Sequence, residues 1–179
     1  YRFGFNLSLD YSNFFATAFL QGVGKQDWYP SRGSNTFWGQ YNAPYGHPLE
    51  SQLGNIWSEE NPNAYFPRYT GYLAWQAGGT LRETQTRYLQ NAAYVRLKNL
   101  QVGYKIPDAI LQRIKAKSLA IYFSGENLWT YSPMFKITDK NIDPENTGDS
   151  DAVLGDGNQG DGFNYPMIKS YSFGITLTF

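Results

Sequence analysis

The stretch Met167–Phe179, MIKSYSFGITLTF, decides the fold. Its odd positions are Met167, Lys169, Tyr171, Phe173, Ile175, Leu177 and Phe179, and its even positions are Ile168, Ser170, Ser172, Gly174, Thr176 and Thr178. Successive side chains of a β-strand point to opposite faces, so a period of two predicts a strand that is greasy on one side and small and polar on the other. Phe179, the last residue, lies on the greasy side.

The same pattern recurs upstream. Phe3, Phe5, Leu7, Leu9 and Tyr11 share one phase, and Arg2, Gly4, Asn6, Ser8 and Asp10 the other. Ser12-Asn13 reads as a tight turn and Phe14–Val23 as the returning strand, whose weaker alternation leaves its phase open. A third strand is expected over Tyr88–Ile106. Val95 and Leu97 are out of phase there with Leu100, Val102 and Tyr104, and a bulge near Asn99 reconciles them. Pro107 ends that strand, and one or two helical turns follow over Asp108–Lys115. Ser118–Tyr131 is the fourth strand, with Leu119, Ile121 and Phe123 on one face.

The connections alternate. Ser12-Asn13 is short, Gly24–Arg87 very long, Pro107–Lys117 short and Ser132–Pro166 long. Bacterial outer-membrane barrels pair short periplasmic turns with long extracellular loops, and a periplasmic C-terminus gives this order at all four connections. The expected fold is therefore all-β, an antiparallel transmembrane β-barrel of which residues 1–179 supply about the last five strands. The long extracellular loops are expected at about residues 24–87 and 132–166. Five strands cannot close such a barrel, because open edges in lipid leave backbone groups without partners. The remaining strands are expected from an earlier part of the same polypeptide. A terminal aromatic on the greasy face resembles the signal read by the outer-membrane assembly machinery. Tyr171, Phe173, Ile175, Leu177 and Phe179 are accordingly expected to face lipid and guide assembly.

Composition fits this reading. The chain has 15 basic and 15 acidic residues, one His and no Cys, and 18% of it is aromatic. A net charge of zero gives no pull toward nucleic acid, and without Cys there are neither disulfides nor thiolate metal sites. No run approaches the roughly 20 apolar residues of a transmembrane helix. A mean hydropathy of −0.51 does not argue against barrel strands, whose two faces average out.

Several stretches in order resemble the SusC/RagA family of TonB-dependent outer-membrane transporters from Bacteroidetes. NAAYVRLKNLQVGYKIP at Asn91–Pro107 is similar to the family's YLRLKN…LGY…P pattern, and IYFSGENLW at Ile121–Trp129 to its SGQNL strand. Asp143-Pro144-Glu145 matches a DPE loop element, WSEENPNAYFPR at Trp57–Arg68 a W…ENPNA.YPR element, and Tyr165-Pro166 with SYSFGITLTF the final strand. The resemblance implies a 22-stranded barrel with an N-terminal plug. It further implies uptake driven by TonB and a SusD-like surface lipoprotein as a lid. Nothing in these residues corresponds to the plug or the TonB-contacting segment.

The expected function is thus part of an importer of oligosaccharides or peptides, not an enzyme. It is located in the bacterial outer membrane and meets TonB through the missing N-terminal part. A soluble aromatic-rich glycan-binding β-sandwich and a barrel serving adhesion without transport stay open. The loop aromatics Trp28, Tyr29, Trp38, Tyr41, Trp57 and Trp75 are candidates for contact with substrate or lid, where aromatic anchors dominate binding. For any one of them, a place in the loop's own small core is the preferred reading. Arg96 and Lys98 either face the lumen or snorkel near an interface. Asp139, Asp143, Glu145, Asp149, Asp151, Asp156 and Asp161 make an oxygen-rich loop of a kind that can bind Ca²⁺, but the spacing does not fit an EF-hand, and a solvated loop is preferred. His47, alone between Gly46 and Pro48, is no basis for a zinc site, and Glu59-Glu60 has no opposing acid for glycoside hydrolysis. No cofactor is expected.

Overall fold

The computed structural model describes residues 1–42, 45, 48, 50–147 and 167–179. His47 and the part of the acidic loop from 148 to 166 lie outside them, as does the Tyr165-Pro166 element. The strands in chain order are β1 (Arg2–Tyr11), β2 (Phe14–Val23), β3 (Asp27–Trp28), β4 (Gln90–Asn91), β5 (Tyr94–Lys105), β6 (Ser118–Tyr131) and β7 (Ser170–Thr178). Five of them form one sheet in the order β1-β2-β5-β6-β7, and β3 pairs with β4 in a separate small sheet. The pairs β1–β2, β5–β6 and β6–β7 are antiparallel. The chain divides into two compact units. One is Tyr1–Gly24, Val95–Tyr131 and Met167–Phe179; the other is Lys25–Tyr94 with the described part of Ser132–Pro166.

Four of the five sheet strands fall close to where the alternation puts them. The third starts later than expected, at Tyr94 instead of Tyr88. Thr86–Tyr88 is a 3-10 turn, and Gln90–Asn91 pairs with Asp27–Trp28 away from the main sheet. The β-rich composition of this stretch therefore served two different ladders. The irregularity expected near Asn99 is present, but the additional residue is on β6. Leu97 pairs with Trp129 and Asn99 with Glu126, two steps on β5 against three on β6. Asn127 absorbs the bulge in a left-handed conformation (φ 52°), and its side-chain amide donates to the Ile168 carbonyl at 3.2 Å.

Both short connections lie at one end of the sheet. Ser12 turns with φ 55°, and the neighbouring Asn13 carbonyl accepts from Lys105 N at 2.7 Å. After Pro107 the helix Asp108–Ile114 carries Asp108 in its first turn, which suits the helix dipole, and ends on a left-handed Lys115. Lys117 N then donates to Thr178 O at 2.8 Å, and β6 begins.

Candidate functional site

Residues paired across an antiparallel ladder share a face, so the register assigns every side chain. On one face of β1 and β2 lie Phe5 with Leu20, Leu7 with Ala18, Leu9 with Ala16 and Tyr11 with Phe14. On the other half of the sheet, Val102, Phe123 and Phe173 form one row, Tyr104, Ile121 and Ile175 the next, and Leu119 and Leu177 a third. The Phe14 and Tyr104 rings, 4.7 Å apart, join the two halves on this side. This settles the phase of β2, which its own alternation left open: Phe14 and Leu20 are on the apolar face and Phe15 and Phe19 on the opposite one.

The opposite face is mostly polar. Asn6, Ser8, Thr17, Asn99, Gln101 and Glu126 line a groove of about 560 Å³. Toward the short-turn end, Lys105 Nζ reaches Asp10 Oδ1 at 3.3 Å and lies 5.6 Å from the Phe15 ring centre. Gly103 and Gly174 make room on this face for the Phe15 and Tyr122 rings, which a Cβ at either glycine would meet at 2.2 Å.

The apolar face is exposed. Phe5, Leu7, Leu9, Tyr11, Phe14, Val102, Ile121 and the β7 row are all open, with Phe173 at 84% and Ile175 at 69% of full exposure. At about 25 cal/mol per Å² of apolar surface, and with soluble monomers rarely showing more than a few hundred Å² in one patch, such a face needs a cover. Its outermost strands are ordered along their length. Along β1 the aromatics Phe3, Phe5 and Tyr11 flank Leu7 and Leu9, and along β7 and its end Tyr171, Phe173 and Phe179 flank Ile175 and Leu177. Aromatic girdles around an aliphatic belt are what a bilayer selects on barrel strands. Among the described residues the only other sheet is the two-residue pair of β3 and β4.

The second unit is an aromatic body. Trp28, Phe37, Trp38, Tyr41, Phe66 and Tyr88 are almost wholly buried. Trp38 is its hub, with ring centres of Phe37 at 4.8 Å, Trp75 at 5.0 Å and Tyr88 at 5.2 Å, all edge-on, the arrangement aromatic quadrupoles prefer. Trp38 Nε1 donates to the Ser31 carbonyl at 2.8 Å. Tyr41 donates its hydroxyl proton to the Pro67 carbonyl, and burial pushes its pKa up well beyond the ordinary tyrosine value. Burial also raises Tyr29, Tyr65 and Tyr88.

The loop aromatics singled out from sequence thus separate. Trp28, Trp38 and Tyr41 are used inside the body and present no open ring face. Tyr29 and Trp75 are half-buried and pack against the core from outside, and Trp57 is half-buried with its backbone N–H bonded to Phe66 O at 3.0 Å. Tyr171, Phe173, Ile175, Leu177 and Phe179 form a continuous exposed row. Arg96 is 2% exposed, and its Nε donates to Thr130 Oγ1 at 2.9 Å. Asp143 accepts from Glu145 N at 3.0 Å, opening the 3-10 turn Pro144–Asn146. Among the described residues no group of His, Cys, Asp or Glu is arranged to hold a metal. Sequence reading left open the contribution of Phe14 to the apolar face, and the cross-strand register was needed to find it; Tyr104 lies in the phase of Val102, as its alternation reads.

No family model matches the chain. TonB-dependent receptor P26 of Formosa agariphila is 27% identical over 185 residues, covering 99% of this chain and 17% of the receptor. TonB-dependent receptor P3 of the same organism is 29% identical over 133 residues, covering 72% of this chain and 12% of the receptor. Among solved structures, that of the RagAB peptide transporter superposes with a TM-score of 0.65 at 22% identity, covering 98% of this chain and 17% of that one. The RagAB peptide importer in its closed-closed state gives 0.63 at 21% identity, covering 99% of this chain and 17% of that one. The chain spans under a fifth of the length of the proteins it matches. With its five-stranded sheet and exposed apolar face, it is a distant homologue of the TonB-dependent receptors.

Proposed function

We propose that this chain supplies five strands to the barrel of a TonB-dependent outer-membrane importer that takes up oligosaccharides or peptides. The observation that carries the reading is the exposed apolar face of the sheet, whose β1 and β7 rows run from aromatic through aliphatic to aromatic. On the other side, the groove of Asn6, Ser8, Thr17, Asn99, Gln101 and Glu126 faces the lumen and offers hydrogen-bond donors and acceptors to a passing polar ligand. Dimensions agree. Tyr171 to Phe179 is eight steps of about 3.4 Å, and a tilt of about 40° leaves about 21 Å along the bilayer normal, close to the apolar band of about 25 Å.

The short connections at one end of the sheet are periplasmic, and the long ones at the other are extracellular. The aromatic body, built from the first long loop, is then extracellular, and a SusD-like lipoprotein covers the loops. Energy coupling to TonB belongs to the rest of the polypeptide. A peptide cargo has the support of the RagAB likeness, and a glycan cargo that of the family resemblance.

The experiment is detergent extraction of outer membranes, capture of the polypeptide containing this chain, and mass spectrometry of what accompanies it. A large polypeptide together with a surface lipoprotein is the expected result. Recovery of a 20.4 kDa chain from the aqueous fraction would overturn the proposal.

A further inference from the structure

The aromatic body holds a second concavity unrelated to the sheet. It is a cavity of about 430 Å³ whose rim carries Arg32, Arg82 and Thr84 and whose walls are Tyr29, Trp75 and Leu81. The size suits a small ligand or one unit of a longer one. The backbone around it is tightly held. Trp38 Nε1 ties down Ser31 O, and Leu81 N donates to Ala74 O at 2.8 Å. Gly79 permits that second closure, since a Cβ there would lie 2.3 Å from the Ala74 carbonyl oxygen.

The charge balance of the rim is uneven. Arg32 lies 5.9 Å above the Trp75 ring and has no carboxylate partner among the described residues. Arg82 pairs only with its neighbour Glu83, at 3.4 Å, and both side chains are more than half exposed. Such a pair is screened and worth little, so its guanidinium remains usable. Two forked guanidiniums beside aromatic walls match a planar carboxylate on a ring-bearing or chain-bearing ligand, which each fork can grip through two parallel hydrogen bonds.

We propose that this pocket binds the carboxylate of an incoming ligand, at a site separate from the groove of the sheet. The carboxylate is supplied by an acidic sugar unit or by a peptide C-terminus. Binding does not depend on the import reading; only the ligand's being cargo does.

The test uses the purified full-length protein and calorimetry with two matched probe pairs: digalacturonate against its methyl ester, and a tripeptide with a free C-terminus against its amide. The expected result is that at least one acid binds while its neutral partner does not, and that Arg32→Gln with Arg82→Gln weakens that binding at least tenfold. The acid that binds tells which source the site accepts. Equal binding of acid and neutral forms, no binding of either acid, or unchanged binding by the double variant would overturn the proposal. Both arginines are exposed on the rim, so the variants are expected to fold, and unchanged near-ultraviolet dichroism checks this. Carboxylate binding without uptake in cells would leave the pocket standing and remove the import reading.

Discussion

Ile175→Lys is the substitution with the sharpest consequence. Ile175 lies four residues from Tyr171 and four from Phe179, at the centre of the exposed row of β7, with Ile121 opposite on β6 and Tyr104 beyond. On the tilted strand it is about 10 Å from either end of its row, which the proposed barrel puts at the bilayer midplane. A lysine facing lipid there costs about 2–4 kcal/mol, a factor of roughly 30 to 1,000 in the folding equilibrium. Thr176, the next residue, points to the polar face beside Ala120, and Thr176→Lys should cost under about 1 kcal/mol because that side meets water. The assay is urea unfolding of the full-length protein in lipid vesicles, with the amount of heat-modifiable barrel in cells as a second readout. Ile175→Ala serves as a size control and should cost much less than lysine. If Ile175→Lys and Thr176→Lys cost the same, or if the order is reversed, the face assignment and the membrane reading both fail.

Three further outcomes are expected. Phe179→Asp should lower outer-membrane levels of the protein with a smaller equilibrium cost than Ile175→Lys, because position 179 is near an interface; normal levels by immunoblot would remove its role in assembly. Trp38→Ala, which removes the hub of the aromatic body, should cost that unit about 3–5 kcal/mol and open it to limited proteolysis, while heat-modifiability of the barrel persists. Alkali should loosen the same body. Tyr41, Tyr65, Tyr88 and Tyr29 hold their protons more tightly when buried than the ordinary value of 10.0, so their stabilising effect is complete below about pH 10 and is lost as pH rises above it. Once the exposed tyrosines have ionised, the further rise in tyrosinate absorbance should come together with loss of near-ultraviolet dichroism; a complete rise with the dichroism intact would show that these four rings are open to solvent.

Much of the sheet was legible because period-two alternation is a local property. Phe3 to Tyr11 and Met167 to Phe179 carry it cleanly, and Pro107 and Ser12-Asn13 mark their boundaries chemically. Where β2 mixes Phe14, Phe15, Phe19 and Leu20 on both faces, only pairing with β1 fixes the phase. The displaced bulge has a similar cause. The phase break was visible around Asn99, but in the ladder the extra residue is on β6, so β5 alternates without interruption and Val95 and Leu97 share the face of Asn99 and Gln101 instead of joining Leu100, Val102 and Tyr104. The loop aromatics were the least legible. Trp28, Trp38 and Trp75 have no shared period, so nothing local distinguishes a buried hub from a half-open wall. Arg32 and Arg82 are fifty residues apart, and the folded loop brings them to one rim.

The most direct test of the central claim is a labelling scan of β7 in intact outer membranes, with single cysteines from Tyr171 to Phe179. This chain has no cysteine of its own to interfere. A lipid-soluble thiol probe should modify positions 171, 173, 175 and 177, and a water-soluble one positions 172, 176 and 178, with position 174 left out because the Tyr122 ring fills the space of its side chain. Labelling by the water-soluble probe at every position, odd and even alike, would mean that water covers both faces and that the sheet is not part of a membrane barrel.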